Sequence, residues 1–344
     1  MNRPTLVSLA KELGVSRQTV SNVINAPHLV RPETRARVQK AITESGYRPN
    51  VAAQALRNQR SRTIGMRILP ASDGINGAIM DRFLHHLVAE CQELGYNLML
   101  FTATDERDEV AQARDLFERG SIDGCVLTGT HSADTRPGEL TERGIPCAAF
   151  GRPWGEVERA GHIWVDVDGR SGTRAATRHL LALGHTRIGF IGWPFGSESG
   201  DDRRAGWSEA MAEAGLTGWE EWHAEGEDGT ETGLYAMEQL REKGVEGVVC
   251  ASDSLALGAR EAFRRRSTQP HVGELPVIGF DNTPVAAAIT MSSIAQPVER
   301  CAQLLASALV HELDPKSRGR ALRPDERLVV PVLAPRSIEL PPVR

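Results

Sequence analysis

Thr5-Leu6-Val7-Ser8-Leu9-Ala10-Lys11-Glu12-Leu13-Gly14-Val15-Ser16-Arg17-Gln18-Thr19-Val20-Ser21-Asn22-Val23-Ile24-Asn25 contains two helical patterns separated by a glycine. Leu6, Leu9, Ala10 and Leu13 recur at i, i+3, i+4 and i+7, the spacing of one apolar helix face. Thr5 suits the N-cap of this helix, and Gly14 ends it because glycine readily takes positive φ. Ser16 suits the N-cap of a second helix from Arg17 to Ile24. Val20, Val23 and Ile24 then face inward, with Arg17, Gln18, Ser21 and Asn22 outward. Two short helices joined by a tight glycine-containing turn form a helix-turn-helix. Its second helix places first-turn residues at base edges in the major groove, where Arg suits guanine and Gln suits adenine. A plain amphipathic helix pair would show the same apolar spacing.

The surroundings favour the nucleic-acid reading. A third helix opens at Pro32-Glu33-Thr34 and closes at Ser45-Gly46. The 344 residues carry a net charge of −5. That average conceals a division: residues 1–62 hold 11 Lys/Arg against 3 Asp/Glu, and residues 63–344 hold 29 against 42. A head of +8 on a body of −13 is the asymmetry of a nucleic-acid-binding segment attached to an acidic domain. After Tyr47-Arg48-Pro49 comes Asn50-Val51-Ala52-Ala53-Gln54-Ala55-Leu56-Arg57, a stretch long enough for two helical turns and marginal without a partner. Leu56 is an apolar residue suited to wedge between base steps in a minor groove. A plain linker is the alternative.

Together TLVSLAKELGVSRQTVSNVIN, RPETRARV and GYRPNVAAQALR resemble the DNA-binding head and hinge of the lactose-repressor (LacI/GalR) family. The order VS-x-x-TVS-x-VIN followed by GY-x-PN-x-x-A-x-x-L carries the resemblance. It implies that Arg17, Gln18, Ser21 and Asn22 read the major groove. Leu56 would be a lever at the centre of a palindromic operator, with Ala53 near the minor-groove floor. Thr5, Ser16, Thr19, Asn25, Tyr47 and Asn50 complete the expected DNA-contacting set. Ser8 stands where the family usually has Asp, a surface position expected to matter little.

From Thr63 short apolar runs alternate with helical patterns. Strands are expected at Ile64–Leu69, Asn97–Phe101, Gly124–Leu127, Cys147–Phe150, Ile163–Val165, Arg187–Ile191, Gly247–Cys250 and Val277–Phe280. Helices are expected at about 79–94, 107–119, 169–183, 202–214, 231–243 and 253–265. The alternation reads as βαβ units on parallel sheets. The expected architecture is an all-α helix-turn-helix head (1–48), a hinge helix and linker (49–62), and an α/β ligand-binding and dimerisation body (63–344). The resemblance implies a body like periplasmic sugar-binding proteins, with two doubly wound parallel sheets in two lobes. The lobes are expected at about 63–164 plus 292–321 and 165–290 plus 322–340, with crossings near 163–167, 288–292 and 320–325.

In such sheets ligands lie beyond the carboxyl ends of the strands. Arg152 and Trp154 follow one strand and Trp193 another, suited to donate to, or stack on, a sugar. Arg203 matches the family's ligand arginine, three residues before a Gly-aromatic pair. Asp253 lies in Cys250-Ala251-Ser252-Asp253, which resembles the family's Asn-Asp-x-x-Ala turn with Ser252 in place of Asn. Asp281 lies in Gly279-Phe280-Asp281-Asn282, which matches a family motif whose Asp contacts ligand. Asp253 could equally cap a helix and Asp281 a turn; Asp73 is a weaker ligand candidate, and Trp207 reads as core.

Other classes find no support. No apolar run approaches the ~18–20 residues of a membrane span, and the first 30 residues lack a secretory h-region. The five cysteines include no CxxC pair, and the ten histidines show no metal spacing. No P-loop, GxSxG or HExxH motif appears. Catalysis, cofactor and metal are therefore not expected. The expected protein is a cytoplasmic repressor of sugar-utilisation genes. It would bind a palindromic double-stranded operator as a homodimer, or as a dimer of dimers, and be released by a sugar effector. A free-standing sugar-binding protein and a sugar-processing enzyme are the alternatives.

Overall fold

The computed structural model describes residues 4–47, 60–68, 77–155, 161–266 and 276–336. The chain divides into two compact units at Arg62/Thr63. The first contains α1 (Leu6–Glu12), α2 (Arg17–Asn25), a 3-10 turn (Pro27–Leu29) and α3 (Pro32–Ser45). Thr5 and Ser8 form a reciprocal capping box on α1: Ser8 N–H donates to Thr5 Oγ1 (3.1 Å) and Thr5 N–H to Ser8 Oγ (2.8 Å). Ser8, expected to matter little, therefore satisfies a helix-end donor. Ser16 Oγ caps α2 by accepting from Thr19 N–H at 3.0 Å. Gly46 ends α3 at φ +63°, a left-handed conformation that suits glycine. Leu9, Ala10, Val20, Val23, Val38 and Tyr47 pack between the helices as the core of this unit.

The second unit has two six-stranded sheets. Lobe 1 contains β1 (Thr63–Arg67), α4 (Ala78–Glu93), β2 (Asn97–Phe101), α5 (Glu106–Glu118), β3 (Gly124–Thr128), α6 (Arg136–Glu142), β4 (Cys147–Phe150) and β5 (Ile163–Val167). Lobe 2 contains α7 (Gly169–Ala182), β6 (Ile188–Gly192), α8 (Glu198–Glu213), β7 (His223–Glu225), α9 (Thr230–Glu242), β8 (Gly247–Cys250), α10 (Asp253–Arg266), β9 (Val277–Phe280), α11 (Pro284–Ala288) and β10 (Ser292–Ala295). The chain then adds α12 (Val298–Leu313) and β11 (Leu328–Val329) to lobe 1, and β12 (Val332–Ala334) to lobe 2. Strand orders are β11-β5-β4-β3-β1-β2 and β12-β10-β9-β8-β6-β7. Among the described residues all strand pairings are parallel except β10 with β12. Strands β3, β6, β8 and β9 are buried along their whole length, because helices cover both faces of a parallel sheet.

The crossings differ from those expected. β5 belongs wholly to lobe 1, so the first crossing follows Val167. Ser292–Ala295 pairs with β9 and β12 in lobe 2, which moves the second crossing from 288–292 to Gln296–Pro297. Leu328 and Val329 pair with β5, which moves the third from 320–325 to Val330–Pro331. The cause is local: Ser-Ser-Ile-Ala lacks an apolar run and Leu-Val is only two residues long, so only their neighbours assign them to a sheet. Helix α12, absent from the expected set, packs against α4 in the core of lobe 1.

Candidate DNA-reading face and effector cleft

Within the first unit, Arg17 and Gln18 are exposed at the start of α2 and Asn22 is half-buried. Gln18 Nε2 donates to Asn22 Oδ1 at 2.8 Å, which holds two polar side chains in one orientation on that helix. Ser21 departs from the expected outward position, with only 9% of its surface exposed. It lies about 100° round the helix from Val20, at the margin of the buried arc. Thr5 and Ser16 cap α1 and α2, and half-buried Thr19 shares a 2.8 Å hydroxyl contact with Ser16. Tyr47 packs in the core rather than standing on a surface, and burial raises its hydroxyl pKa. Asn25 ends α2; Asn50, Ala53, Leu56 and Asp73 lie outside the described residues.

In the second unit, the carboxyl ends of β3, β4 and β5 face those of β6 and β9 across a cleft of about 280 Å³. Trp154 and Thr130 line it from lobe 1, and Trp193, Arg203, Asp228 and Asp281 from lobe 2. The guanidinium of Arg203, on α8, lies 3.7 Å from the Phe280 ring centroid and 4.9 Å from that of Trp193. Its Nη1 donates to the Ala251 carbonyl, and its buried Nε–H has no hydrogen-bond partner among the described residues. Burial lowers the Arg203 pKa, opposed by the nearby carboxylates of Asp281, Asp166, Asp228 and Asp202. Asp281 accepts from Gln296 Nε2 at 2.6 Å. Burial pushes the Asp281 pKa up to about 7, against the pull of Arg203. Its φ of +117° is strained for a residue with a side chain, at a cost of ~1–3 kcal/mol. The turn is held by Asp281 N–H on the Ile294 carbonyl at 2.8 Å. A bidentate donor and a carboxyl group between aromatic walls can orient vicinal hydroxyls.

Trp154, Trp193, Arg203 and Asp281 thus line one cleft, whereas two of the expected ligand residues have other roles. Arg152 donates from Nε to Asp166 (2.6 Å) and from Nη2 to Asp202 (3.2 Å) and the Val167 carbonyl (3.1 Å). It ties β5 of lobe 1 to α8 of lobe 2. Asp253 is 2% exposed and accepts from Thr283 N–H (2.7 Å), Thr283 Oγ1 (2.8 Å) and Ser293 Oγ (2.5 Å). Its carboxylate joins the start of α10 to the turn after β9 and to β10, inside the core. Trp207 is 2% exposed and donates to the Ile188 carbonyl at 3.0 Å, in keeping with its core reading. Sequence reading missed Asp228 and Gln296. Asp228 follows a strand of only three residues and accepts from Ser252 Oγ; Gln296 occupies the displaced second crossing.

Residues 5–50 match the profile of bacterial regulatory proteins of the lacI family, and residues 177–337 that of a periplasmic binding protein-like domain. The HTH-type transcriptional regulator CelR of Thermobifida fusca is 33% identical over 90% of this chain and 92% of that protein. The chain belongs to the LacI family. LacI-family proteins are DNA-binding transcriptional regulators, so this chain is a helix-turn-helix regulator and not an enzyme. Among solved LacI-family structures, a CelR–cellobiose complex superimposes with a TM-score of 0.68 at 29% identity, covering 97% of this chain and 99% of that one. The lac repressor dimer bound to operator and an anti-inducer superimposes at 0.75 over 98% and 100%; at 23% identity it shows the shared LacI fold.

Proposed function

We propose that this LacI-family regulator binds a palindromic operator as a homodimer in the cytoplasm. It represses sugar-utilisation genes and is released when a neutral sugar enters the cleft. The observation that carries the sugar reading is the buried Arg203, its Nε–H without a partner among the described residues, set beside Asp281 between aromatic side chains. Among the described residues that line the cleft Arg203 is the one cation, set beside Asp281 and Asp228, and Asp166 is already paired with Arg152, so the lining offers an anionic sugar phosphate no further positive partner. The relative CelR has been solved with cellobiose, in keeping with a sugar here. Arg17, Gln18 and Asn22 are the proposed base readers. One helix-turn-helix reads one half-site, so a palindrome calls for two copies.

Coupling would run through the lobes. Lobe 1 reaches lobe 2 by Arg152 on Asp202, by Ser132 N–H on Glu198 (2.9 Å), and by Arg82 Nη1 on the Asp281 carbonyl (3.4 Å). A sugar that touches Arg203 and Asp281 on one side and Trp154 on the other favours one lobe angle over the other, and differential affinity is what shifts the population. A swing from nearly all bound to nearly all released needs about 5.5 kcal/mol of such preference, shared over two sites.

The test is fluorescence anisotropy on DNA upstream of the protein's own gene, combined with a sugar thermal-shift screen. Specific binding should weaken steeply with salt, and a sugar that raises Tm should lower operator affinity. Arg17→Ala should cost about 1–3 kcal/mol and relax one base position in each half-site. A uniform loss on every sequence would make Arg17 a phosphate contact. Affinity raised by the sugar would make it a corepressor.

A further inference from the structure

We propose that the cleft continues past Trp193 into a second sugar position, so that the effector is an oligosaccharide of at least two rings; this rests on the sugar reading above. A shallow, solvent-open pocket of about 480 Å³ lies beyond Trp193 and adjoins the central cleft, with Trp193 and Asp228 lining both. The central cleft, at about 280 Å³, lies at the small end of the about 300–1,000 Å³ that ligand sites commonly span.

The outer pocket has the chemistry of a sugar site. Phe195 stands on its lip with 69% of its surface exposed, contributing little to the core. Its orientation is nonetheless set: the Arg204 guanidinium stacks 3.3 Å from the ring centroid and pairs with Asp201 and Glu225. The loop beneath is held by Gly196 N–H on Asp201 (3.0 Å) and Ser197 N–H on the Pro194 carbonyl (3.2 Å). A flat apolar ring fixed in water is a platform for the C–H face of a pyranose. Glu227 and Asp228 offer carboxylates to its hydroxyls. The indole Nε1–H of Trp193, at the junction of the two pockets, is buried without an acceptor among the described residues, which a ligand oxygen there would supply. A neighbouring pocket of about 230 Å³ on lobe 1 is a poorer continuation, because His131 is paired with Glu106 (2.9 Å) and Asp134 with Arg136 (2.8 Å).

Calorimetric titration of the full chain with matched sugars tests this: glucose against cellobiose, cellotriose and maltose, galactose against melibiose and lactose, xylose against xylobiose, and mannose against mannobiose. One oligosaccharide should bind at least about tenfold tighter than its monosaccharide, and Phe195→Ala should remove most of that gain. Monosaccharide affinity and Tm should be unchanged in the variant. A monosaccharide that binds as tightly, or a gain that survives Phe195→Ala, overturns the second position and leaves the sugar reading standing. A panel in which nothing binds overturns the sugar reading itself.

Discussion

Asp281 shows how one residue can carry both the strain and the chemistry of a site. Its backbone lies at φ +117°, and burial raises its carboxyl pKa to about 7. Between about pH 4 and 7 the folded protein keeps a proton that the unfolded chain has released. Stability from this group is therefore complete at low pH and is lost as pH rises through 7, with a slope of at most about 1.4 kcal/mol per pH unit. Urea midpoints of wild type and Asp281→Asn, measured from pH 4.5 to 8.5 (about the span of the titration), should differ by this slope; parallel curves would place the carboxyl outside the titration. The carboxyl also changes from hydrogen-bond donor to pure acceptor near neutrality. Arg152 and Asp253 teach the complementary lesson. Their positions after strand ends were legible, but the direction of each side chain was set by partners 14 to 50 residues away.

At the scale of elements, the close packing of α7 against α8 rests on a glycine. A Cβ on Gly206 would stand 2.0 Å from the Arg170 carbonyl oxygen and 2.3 Å from Thr173 Oγ1. Neither atom can retreat easily, since Thr173 Oγ1 also donates to the Arg203 carbonyl at 2.6 Å. Gly206→Ala should destabilise the body by about 1–3 kcal/mol or more and disturb Arg203, three residues earlier on the same helix. Denaturant unfolding together with sugar affinity would measure both effects, and a neutral variant would show that the helices can separate freely. Helices and long strands were readable from the sequence because their periods are local. The strands β10, β11 and β12 were not: the four-residue β4, β8 and β9 are apolar runs, whereas β10 opens on two serines and β11 and β12 have only two and three residues, so their place depends on pairing.

For the whole molecule, the division of charge at residue 62 coincides with the division into compact units. The net positive charge then belongs to one compact unit and the net negative charge to the other. Arg203→Ala should leave operator affinity and its salt slope within error of wild type while abolishing the response to sugar. Binding isotherms at several salt concentrations, with and without the stabilising sugar, decide it; a changed slope in the absence of sugar would mean that the cleft arginine acts on the head directly.

The sequence by itself determined the helix-turn-helix, the charged head and acidic body, and the alternation that builds two parallel sheets. It also placed Trp154, Trp193, Arg203 and Asp281 at strand ends or helix starts, where such sheets receive ligands. Only the tertiary structure decided that Arg152 ties the lobes together, that Asp253 fastens the core, and that Asp228 and Gln296 enter the cleft. Apolar period and capping act within one or two turns of chain, so a sequence states them directly. The direction of a buried polar side chain depends instead on which distant donor or acceptor satisfies it, and that exists only once the chain has folded.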